Sequence, residues 1–266
     1  MPIAESLRPD STPQSNGART EPLAPLSSNS ATSVEIPAGF KLTVVVPVYN
    51  EQQTVAEILG RVRAVPVPKE IIVVDDHSTD ETRAVLERFA DWPELRVICK
   101  PQNEGKGAAL RTGFAVATGD VVVVQDADLE YDPSDLPPLL GPILRGEAEV
   151  VYGSRYLNDV RQDPSFLHRF GNWLLTRASN LFTGLRLTDM ETCYKMIPRT
   201  LLQSIAIQQN RFGFEPEVTA KLARRGVRIK ELPIRYEGRG YKQGKKIGWR
   251  DGCNAVYCIV RYRWWD

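Results

Sequence analysis

The sequence predicts an α/β protein: a doubly wound, mostly parallel sheet flanked by helices, in a single domain. Three observations carry that expectation. From Lys41 to about Arg155, short apolar strand-like runs alternate with stretches whose apolar residues recur every three or four positions, the pattern of repeated strand-helix units. The central run, Val121 to Val124, is four valines with no polar alternate face, which suits a strand covered on both sides. Polar clusters then recur where apolar runs end, as they do when ligands gather at the carboxyl ends of parallel strands.

Taken in order, residues 1–36 are rich in Ser, Pro, Thr and Asn and lack aromatics, so burial cannot offset their ordering entropy. We expect a disordered tail over 1–38, a domain over 39–247 and an amphipathic C-terminal helix over 248–266. Leu42 to Val46 is the first strand, followed by a helix through Val55, Ile58, Leu59 and Val62. Ile71 to Val74 is the second strand; Ser78 and Glu81 have the spacing of a capping box for a helix through Val85, Leu86 and Phe89. A short strand at Leu95 to Cys99 leads through Asn103-Glu104-Gly105-Lys106-Gly107 into a helix of small residues ending near Ala117. Gly119-Asp120 breaks that helix and releases the valine strand. Asp132-Pro133 starts a helix carrying Leu136, Leu139, Leu140, Ile143 and Leu144, and Glu149 to Tyr152 is a strand closed by Gly153-Ser154-Arg155.

Beyond Arg155 the alternation loosens. Helices are expected at Leu167 to Phe182 and Pro216 to Arg225, and a strand pair or long strand at Val227 to Tyr236, interrupted by Pro233. Gly238 to Lys246 is a glycine-rich basic loop. Gly248 to Trp265 is a helix whose Trp249, Val256, Ile259, Val260 and Trp264 share the surface with Arg250, Arg261 and Arg263; it suits packing on the domain or lying in a membrane interface.

Composition narrows the class. With 266 residues, 42% hydrophobic and 25% charged, the chain is that of a soluble globular protein, and its net charge of +1 gives no general attraction to nucleic acid. The four cysteines follow no zinc or redox spacing, which fits reduced thiols in the cytoplasm. No apolar run reaches the roughly twenty residues that span a bilayer, and the N-terminus lacks signal-peptide order. The sequence therefore predicts a cytoplasmic protein with at most peripheral membrane contact.

The chemistry is concentrated after the valine strand. Asp126, Asp128 and Glu130 crowd within five residues, and carboxylates so close stay ionised only when a cation or hydrogen-bond donors offset their repulsion. Mg²⁺ takes one or two protein carboxylates and leaves other positions to water and phosphates, so this spacing predicts a metal-bound nucleotide diphosphate. Three further clusters, Pro47-Val48-Tyr49-Asn50-Glu51, Asp75-Asp76 and Gly153-Ser154-Arg155, end other strands and converge on the same edge.

From Lys41 to Trp265 these motifs, in this order, resemble family 2 glycosyltransferases of the GT-A fold, in the dolichyl- or polyprenyl-phosphate sugar synthase branch. The resemblance lies in Pro47-Val48-Tyr49-Asn50-Glu51, Val74-Asp75-Asp76-His77-Ser78, Asp126-Ala127-Asp128-Leu129-Glu130 and Gly153-Ser154-Arg155. Asp189 to Lys195 resembles the family's acceptor-side segment and Arg239 to Lys246 its phosphate loop. The resemblance implies a nucleotide-sugar donor, UDP- or GDP-linked, held by Tyr49, Glu51 and Asp76, by the backbone of Pro47 and Val74, and by Ala127, Arg155, Arg239 and Lys242. It implies Mg²⁺ or Mn²⁺ on Asp126, Asp128 and Glu130, and acceptor phosphate near Arg169, Lys195 and Lys245. Asp128, Arg155 and Asp189 would carry the chemistry.

Two departures stand out. His77 takes a place where glycine is common, which a histidine in a left-handed turn tolerates. Cys193-Tyr194 replaces Gly-Phe in the acceptor segment. A lipid phosphate acceptor would arrive ionised and need no base; a hydroxyl acceptor would need one, with Asp189 or Glu191 nearest. A nucleotidyltransferase and a non-catalytic sugar-nucleotide sensor are the readings from other classes.

Overall fold

The computed structural model describes residues 35–157, 166–238 and 249–265; the expected tail over 1–38 therefore lies almost wholly outside the described residues. Seven strands form one sheet: β1 (Leu42–Val48), β2 (Lys69–Asp75), β3 (Leu95–Cys99), β4 (Val121–Val124), β5 (Val150–Ser154), β6 (Lys195–Pro198) and β7 (Ile229–Pro233). The helices are α1 (Val55–Ala64), α2 (Thr82–Glu87), α3 (Lys106–Val116), α4 (Leu136–Leu144), α5 (Phe166–Thr183), α6 (Arg199–Gln203), α7 (Phe214–Arg224) and α8 (Trp249–Trp264).

The strand order is β3-β2-β1-β4-β6-β5-β7. β1 has β2 on one side and β4 on the other, both parallel. The winding thus reverses between β1 and β4, the position where open α/β sheets form a crevice at their strand ends. The valine runs lack a polar face because both faces are covered. Val44, Val46, Ile71, Val73, Val121 and Val123 point into one apolar cluster with α1 and α4. Their neighbours Val45, Ile72, Val74, Val122 and Val124 point into the other, with α3 and α7. Each strand is read at period two into two cores at once.

The second half differs from expectation. β6 was not anticipated, and it runs antiparallel to both β4 and β5. Four residues ending in Pro198 are too short to display a period. β5 continues through Gly153 and Ser154, which pair with Leu232 and Pro233. β7 is an edge strand whose Pro233 stands at its last position, where no ladder donor is needed. The expected capping box does not form either: α2 starts at Thr82, whose N–H bonds Asp80 Oδ1 (3.0 Å), and Ser78 Oγ instead accepts from Asn50 N (2.9 Å). The start at Asp132 is as expected, its carboxylate accepting from Ser134 N (2.9 Å).

α8 is packed on the domain. Its Cys258 and Tyr262 are buried with Ala220 of α7, and Lys221 Nζ lies 4.5 Å from the Tyr262 ring centre. Among the described residues no helix is long and apolar enough to cross a membrane.

Two helix glycines should respond oppositely to the same substitution. Gly60 on α1 has open space where a Cβ would go, so Gly60→Ala should gain about 0.5–1 kcal/mol of stability from helix propensity. At Gly113 on α3 the added Cβ would stand 2.5 Å from Val45 Cγ1. Overpacking there costs about 1–3 kcal/mol and outweighs the same propensity gain, so Gly113→Ala should lower the urea midpoint where Gly60→Ala raises it.

Candidate active site

The loops after β1 and β2 are fastened to each other. Asn50 adopts a left-handed backbone (φ 56°), and its side-chain oxygen accepts from Thr79 N (2.8 Å). Glu51 N donates to Thr82 Oγ1 (2.9 Å) and the Glu51 carboxylate accepts from Thr54 Oγ1 (2.9 Å). Pro47, Tyr49 and Glu51 are all half-buried beside this junction, and Val74 is buried in β2 opposite Pro47.

The paired aspartates after β2 do different work. Asp75, fully buried, accepts from Ser78 N (3.2 Å) and Arg83 Nε (2.6 Å), so it shapes the turn. Asp76 accepts from Lys100 Nζ (2.6 Å), Glu104 N (3.1 Å) and Gly105 N (2.6 Å), and so anchors the approach to α3. Gly105 has φ 96°, and a Cβ there would lie 2.5 Å from the Asn210 carbonyl; only glycine meets both demands. His77 takes the left-handed conformation expected of it (φ 65°).

That anchoring delivers Lys106. Its ammonium lies 2.9 Å from Asp126 and 3.0 Å from Glu215 at the head of α7. Burial alone would lower its pKa, but the Asp126 and Glu215 carboxylates hold it well above the usual lysine range. Neither Lys106 nor Glu215 was among the residues read from the sequence as site residues. A signal was available: a lysine in the first turn of a helix opposes the helix dipole, so its presence there called for local carboxylates.

After β4, Asp126 and Asp128 are half-buried with Ala127 buried between them. Asp128 Oδ1 accepts from Glu130 N (3.2 Å). Leu129 has φ 65°, an uncommon conformation for a bulky residue and of the kind found where a loop is over-determined. Glu130 turns to Tyr236, whose hydroxyl donates to Oε2 at 2.8 Å. Among the described residues, no three His, Cys, Asp or Glu side chains gather around one point. The pair Asp126 and Asp128 nevertheless fits Mg²⁺ or Mn²⁺, hard ions that need only one or two protein carboxylates when phosphate and water supply the rest.

The opposite side of the crevice is built around Arg155. Its guanidinium grips Asp189 through Nε (2.6 Å) and Nη2 (2.7 Å), and its own N–H donates to the same carboxylate (3.1 Å). Tyr236, Tyr156 and Tyr131 rings stand 5.1, 5.6 and 6.0 Å from the guanidinium carbon. Asp189 is fully buried with both oxygens committed to Arg155, whereas the sequence reading offered it, or Glu191, as the base for a hydroxyl acceptor. Arg169 is half-buried on α5, one turn before Asn172, whose side-chain oxygen lies 3.5 Å from Arg155 Nη2.

Lys195 also needs correction. It is 2% exposed, donates to the carbonyls of Met190 (2.8 Å) and Thr192, and lies 4.6 Å from the Tyr152 ring centre, so it is a core group and does not present its charge to an acceptor. Burial lowers its pKa. Cys193 and Tyr194 are likewise core: Cys193 N donates to Tyr131 Oη (3.3 Å) and the Tyr194 hydroxyl to Gln125 Oε1 (2.5 Å). Glu191 is different. Its Oε1 is buried without a hydrogen-bond partner, and burial, with the Glu215 carboxylate nearby, pushes its carboxyl up to about 8. Arg239, Lys242 and Lys245 lie outside the described residues. The chain approaches them from Glu237, whose N–H donates to Glu130 O (2.9 Å).

Arg155→Ala would strand Asp189 as an unpaired buried charge, and breaking such a pair costs about 3–5 kcal/mol. Arg155→Lys keeps the charge but loses the two-pronged grip, so its urea midpoint should fall between those of Arg155→Ala and the parent.

The profile described as Glycosyl transferase family 2 matches residues 43–206. The chain is 30% identical over 231 residues to the undecaprenyl-phosphate mannosyltransferase of Micrococcus luteus, covering 84% of this chain and 94% of that one. It is 28% identical over 212 residues to the dodecaprenyl-phosphate galacturonate synthase of Rhizobium johnstonii, covering 77% of this chain but only 62% of that relative. Among solved structures, glucosyl-3-phosphoglycerate synthase of Mycobacterium tuberculosis superposes with a TM-score of 0.62 at 24% identity, over 85% of this chain and 81% of that one, a likeness of fold. The nucleotidyltransferase reading falls with these matches, and the chain belongs to glycosyl transferase family 2, as a glycosyltransferase on a GT-A-type sheet.

Proposed function

We propose that the chain transfers a hexose from a UDP- or GDP-sugar to a polyprenyl phosphate, with inversion at the anomeric carbon by direct displacement. The observation that carries this is the state of the carboxylates on the acceptor side. Asp189 is committed to Arg155, and burial with the Glu215 carboxylate nearby raises the Glu191 carboxyl, so neither is a strong base at hand. Such a site suits an acceptor that brings its own negative nucleophile. A phosphate monoester, with a second pKa near about 6, is largely ionised at pH 7 and needs no protein base.

In this reading Tyr49, Glu51 and Asp76 meet the base and ribose, with Pro47 and Val74 contributing backbone. Asp126 and Asp128 would hold Mg²⁺ or Mn²⁺, which supplies charge stabilisation to the departing nucleoside diphosphate. Lys106, already between Asp126 and Glu215, adds a fixed positive charge to the same corner. Arg155 and Arg169 would orient the acceptor phosphate toward C1, where alignment itself lowers the barrier. The names of the relatives, undecaprenyl- and dodecaprenyl-phosphate sugar transferases, support this acceptor class. The enzyme is expected in the cytoplasm, meeting its lipid at the membrane surface.

A second reading keeps the donor and changes the acceptor to a hydroxyl. The unpartnered Oε1 of Glu191 favours it, since a base of pKa about 8 is well matched to abstracting a hydroxyl proton.

Purified protein with Mg²⁺ or Mn²⁺, a panel of UDP- and GDP-sugars and short-chain polyprenyl phosphate should form a lipid-linked sugar. Asp128→Ala should lose at least about 100-fold of that activity, the scale of removing one preorganised charge-stabilising group. Hydrolysis or transfer to hydroxyls without lipid product would overturn the primary reading. The pH profile separates the two. With a phosphate nucleophile, kcat/KM should level off by about pH 7, one unit above the phosphate pKa. With Glu191 as base, only the ionised form works, so the rate should climb about tenfold per pH unit up to about 8 and then flatten. Glu191→Gln should abolish that climb in the second case and leave the plateau in the first.

A further inference from the structure

Lys106 stands on the oxygens that a divalent ion at Asp126 would use. Its ammonium contacts both of them, Oδ1 at 2.9 Å and Oδ2 at 3.1 Å, and reaches Glu215 Oε1 at 3.0 Å. The Lys106 and Glu215 side chains are 16% and 6% exposed, so salt and water screen this triad weakly.

The backbone leaves the lysine little room to withdraw. Lys106 is the first residue of α3, and the chain entering that helix is clamped from two directions. On one side the Asp76 carboxylate accepts from Glu104 N (3.1 Å) and Gly105 N (2.6 Å). On the other, Ala108 N donates to the Asn210 carbonyl (3.1 Å), and a Cβ at Gly107 would collide with the Gln209 carbonyl. Residues 209–213 lead directly into α7, so the contact that seats the head of α3 also sets Glu215 opposite Lys106. Glu215 is the second residue of α7 and is buried, a place where the helix dipole favours a carboxylate. Deprived of the ammonium it would be a buried charge without its cation, a costly state. Glu215 is therefore a positioning residue that holds Lys106 against Asp126.

The charge so placed discriminates between two forms of the same ion. A bare divalent ion approaching Asp126 and Asp128 meets a positive charge already on the oxygens it needs, and at contact range inside a protein that repulsion is large. An ion carried on a nucleoside diphosphate belongs to a complex that is net negative, and the same ammonium attracts it.

We infer that Lys106, held by Glu215, makes the divalent-ion site conditional on the nucleotide, so that the ion enters and leaves on the nucleoside diphosphate and is not retained alone. This deepens the reading of Asp126 and Asp128 as the metal pair and rests on it; it does not depend on which acceptor the enzyme uses. By linkage, the factor by which nucleotide tightens the ion is the factor by which the ion tightens nucleotide, and Lys106 sets part of that factor.

The test is a titration of the purified full chain with Mn²⁺, bound ion being read from the loss of the free-ion paramagnetic resonance signal, alone and with UDP or GDP. The parent should bind Mn²⁺ at least about tenfold more tightly with one of the two nucleotides than without, a coupling of ordinary size. Lys106→Met should tighten Mn²⁺ binding without nucleotide by about tenfold or more, a small part of what a unit charge at this range exerts, and weaken nucleotide binding without metal. Glu215→Gln leaves the ammonium to Asp126 alone and should move the affinity for free Mn²⁺ the other way. A lysine with only a structural role predicts that Lys106→Met loses Mn²⁺ affinity with and without nucleotide alike, and that result overturns the inference. Because Lys106→Met strands Glu215, the double variant Lys106→Met with Glu215→Gln carries the same test where the single variant melts early. It should still bind free Mn²⁺ more tightly than the parent, since the ammonium touches Asp126 and the Glu215 carboxylate stands behind it.

Equal Mn²⁺ binding by the parent with and without nucleotide would also overturn the inference. Asp126→Asn distinguishes its failure from that of the reading beneath it. If that variant abolishes Mn²⁺ binding while the Lys106 variants keep the parent's affinity, only the inference falls; if it leaves Mn²⁺ binding unchanged, the ion is held elsewhere and the metal pair falls with it.

Discussion

Negative charge crowded at one edge of a sheet is the constraint the rest of the structure answers to. Parallel strands that end side by side bring Asp75, Asp76 and Asp126 to the same edge, and the antiparallel insertion of β6 brings Asp189 and Glu191 to it from the other side. Like carboxylates in a partly dry crevice would raise one another's pKa and destabilise the fold. Nearly every one is met by a cation from a different element: Arg83 on Asp75, Lys100 on Asp76, Lys106 on Asp126 and Glu215, Arg155 on Asp189. Because each cation comes from the next element in space, neutralising the edge also fixes how α2, α3 and α7 sit upon the sheet. Glu191 is where this compensation runs short: burial and the Glu215 carboxylate push its carboxyl upward.

The first half of this arrangement was legible in the sequence because its physics is local. Four valines in a row suit a doubly covered strand, and carboxylates immediately after such a strand lie at its carboxyl end. β1, β2 and β4 accordingly stand in the predicted order of alternation, with the carboxylates where the runs stop. What remained hidden were partners supplied from far along the chain. Glu215 reaches Lys106 across more than a hundred residues, and nothing in either neighbourhood names the other. Asp189 stood as a candidate base for a hydroxyl acceptor for the same reason: its type and its acceptor-side position were visible, but the two-pronged grip of Arg155, thirty-four residues earlier, was not.

The second half was less legible because it departs from repetition. β6 is short, antiparallel and closed by proline, so neither period nor length announces it. Its misreading carried over to Lys195, whose place in an acceptor-like motif suggested an exposed cation. As the first residue of a buried strand it is instead enclosed between the Tyr152 ring and two carbonyls. Cys193 and Tyr194 follow the same logic. Where the family has Gly-Phe, Cys193 Sγ lies 3.9 Å from the Val124 carbonyl, and the Tyr194 ring packs 4.9 Å from that of Tyr131 while its hydroxyl donates to Gln125, all beneath the Asp126 to Glu130 loop. The departure therefore acts on the floor of the Asp126 to Glu130 loop, and says less about the acceptor than its place in the motif implied.

α5 links the two halves through geometry alone. A helix at 3.6 residues per turn presents opposite faces at positions two apart. Asn172 and Thr176 turn inward, to Arg155 and to the backbone of Met190 (3.1 Å), so the helix cannot roll without disturbing the guanidinium and the segment leading into β6. The same lock fixes the direction in which Trp173 and Leu174, both about half exposed, point outward. The arginine at the crevice and these apolar side chains on the surface are thus not independent features: the hydrogen bonds that orient the one also orient the other.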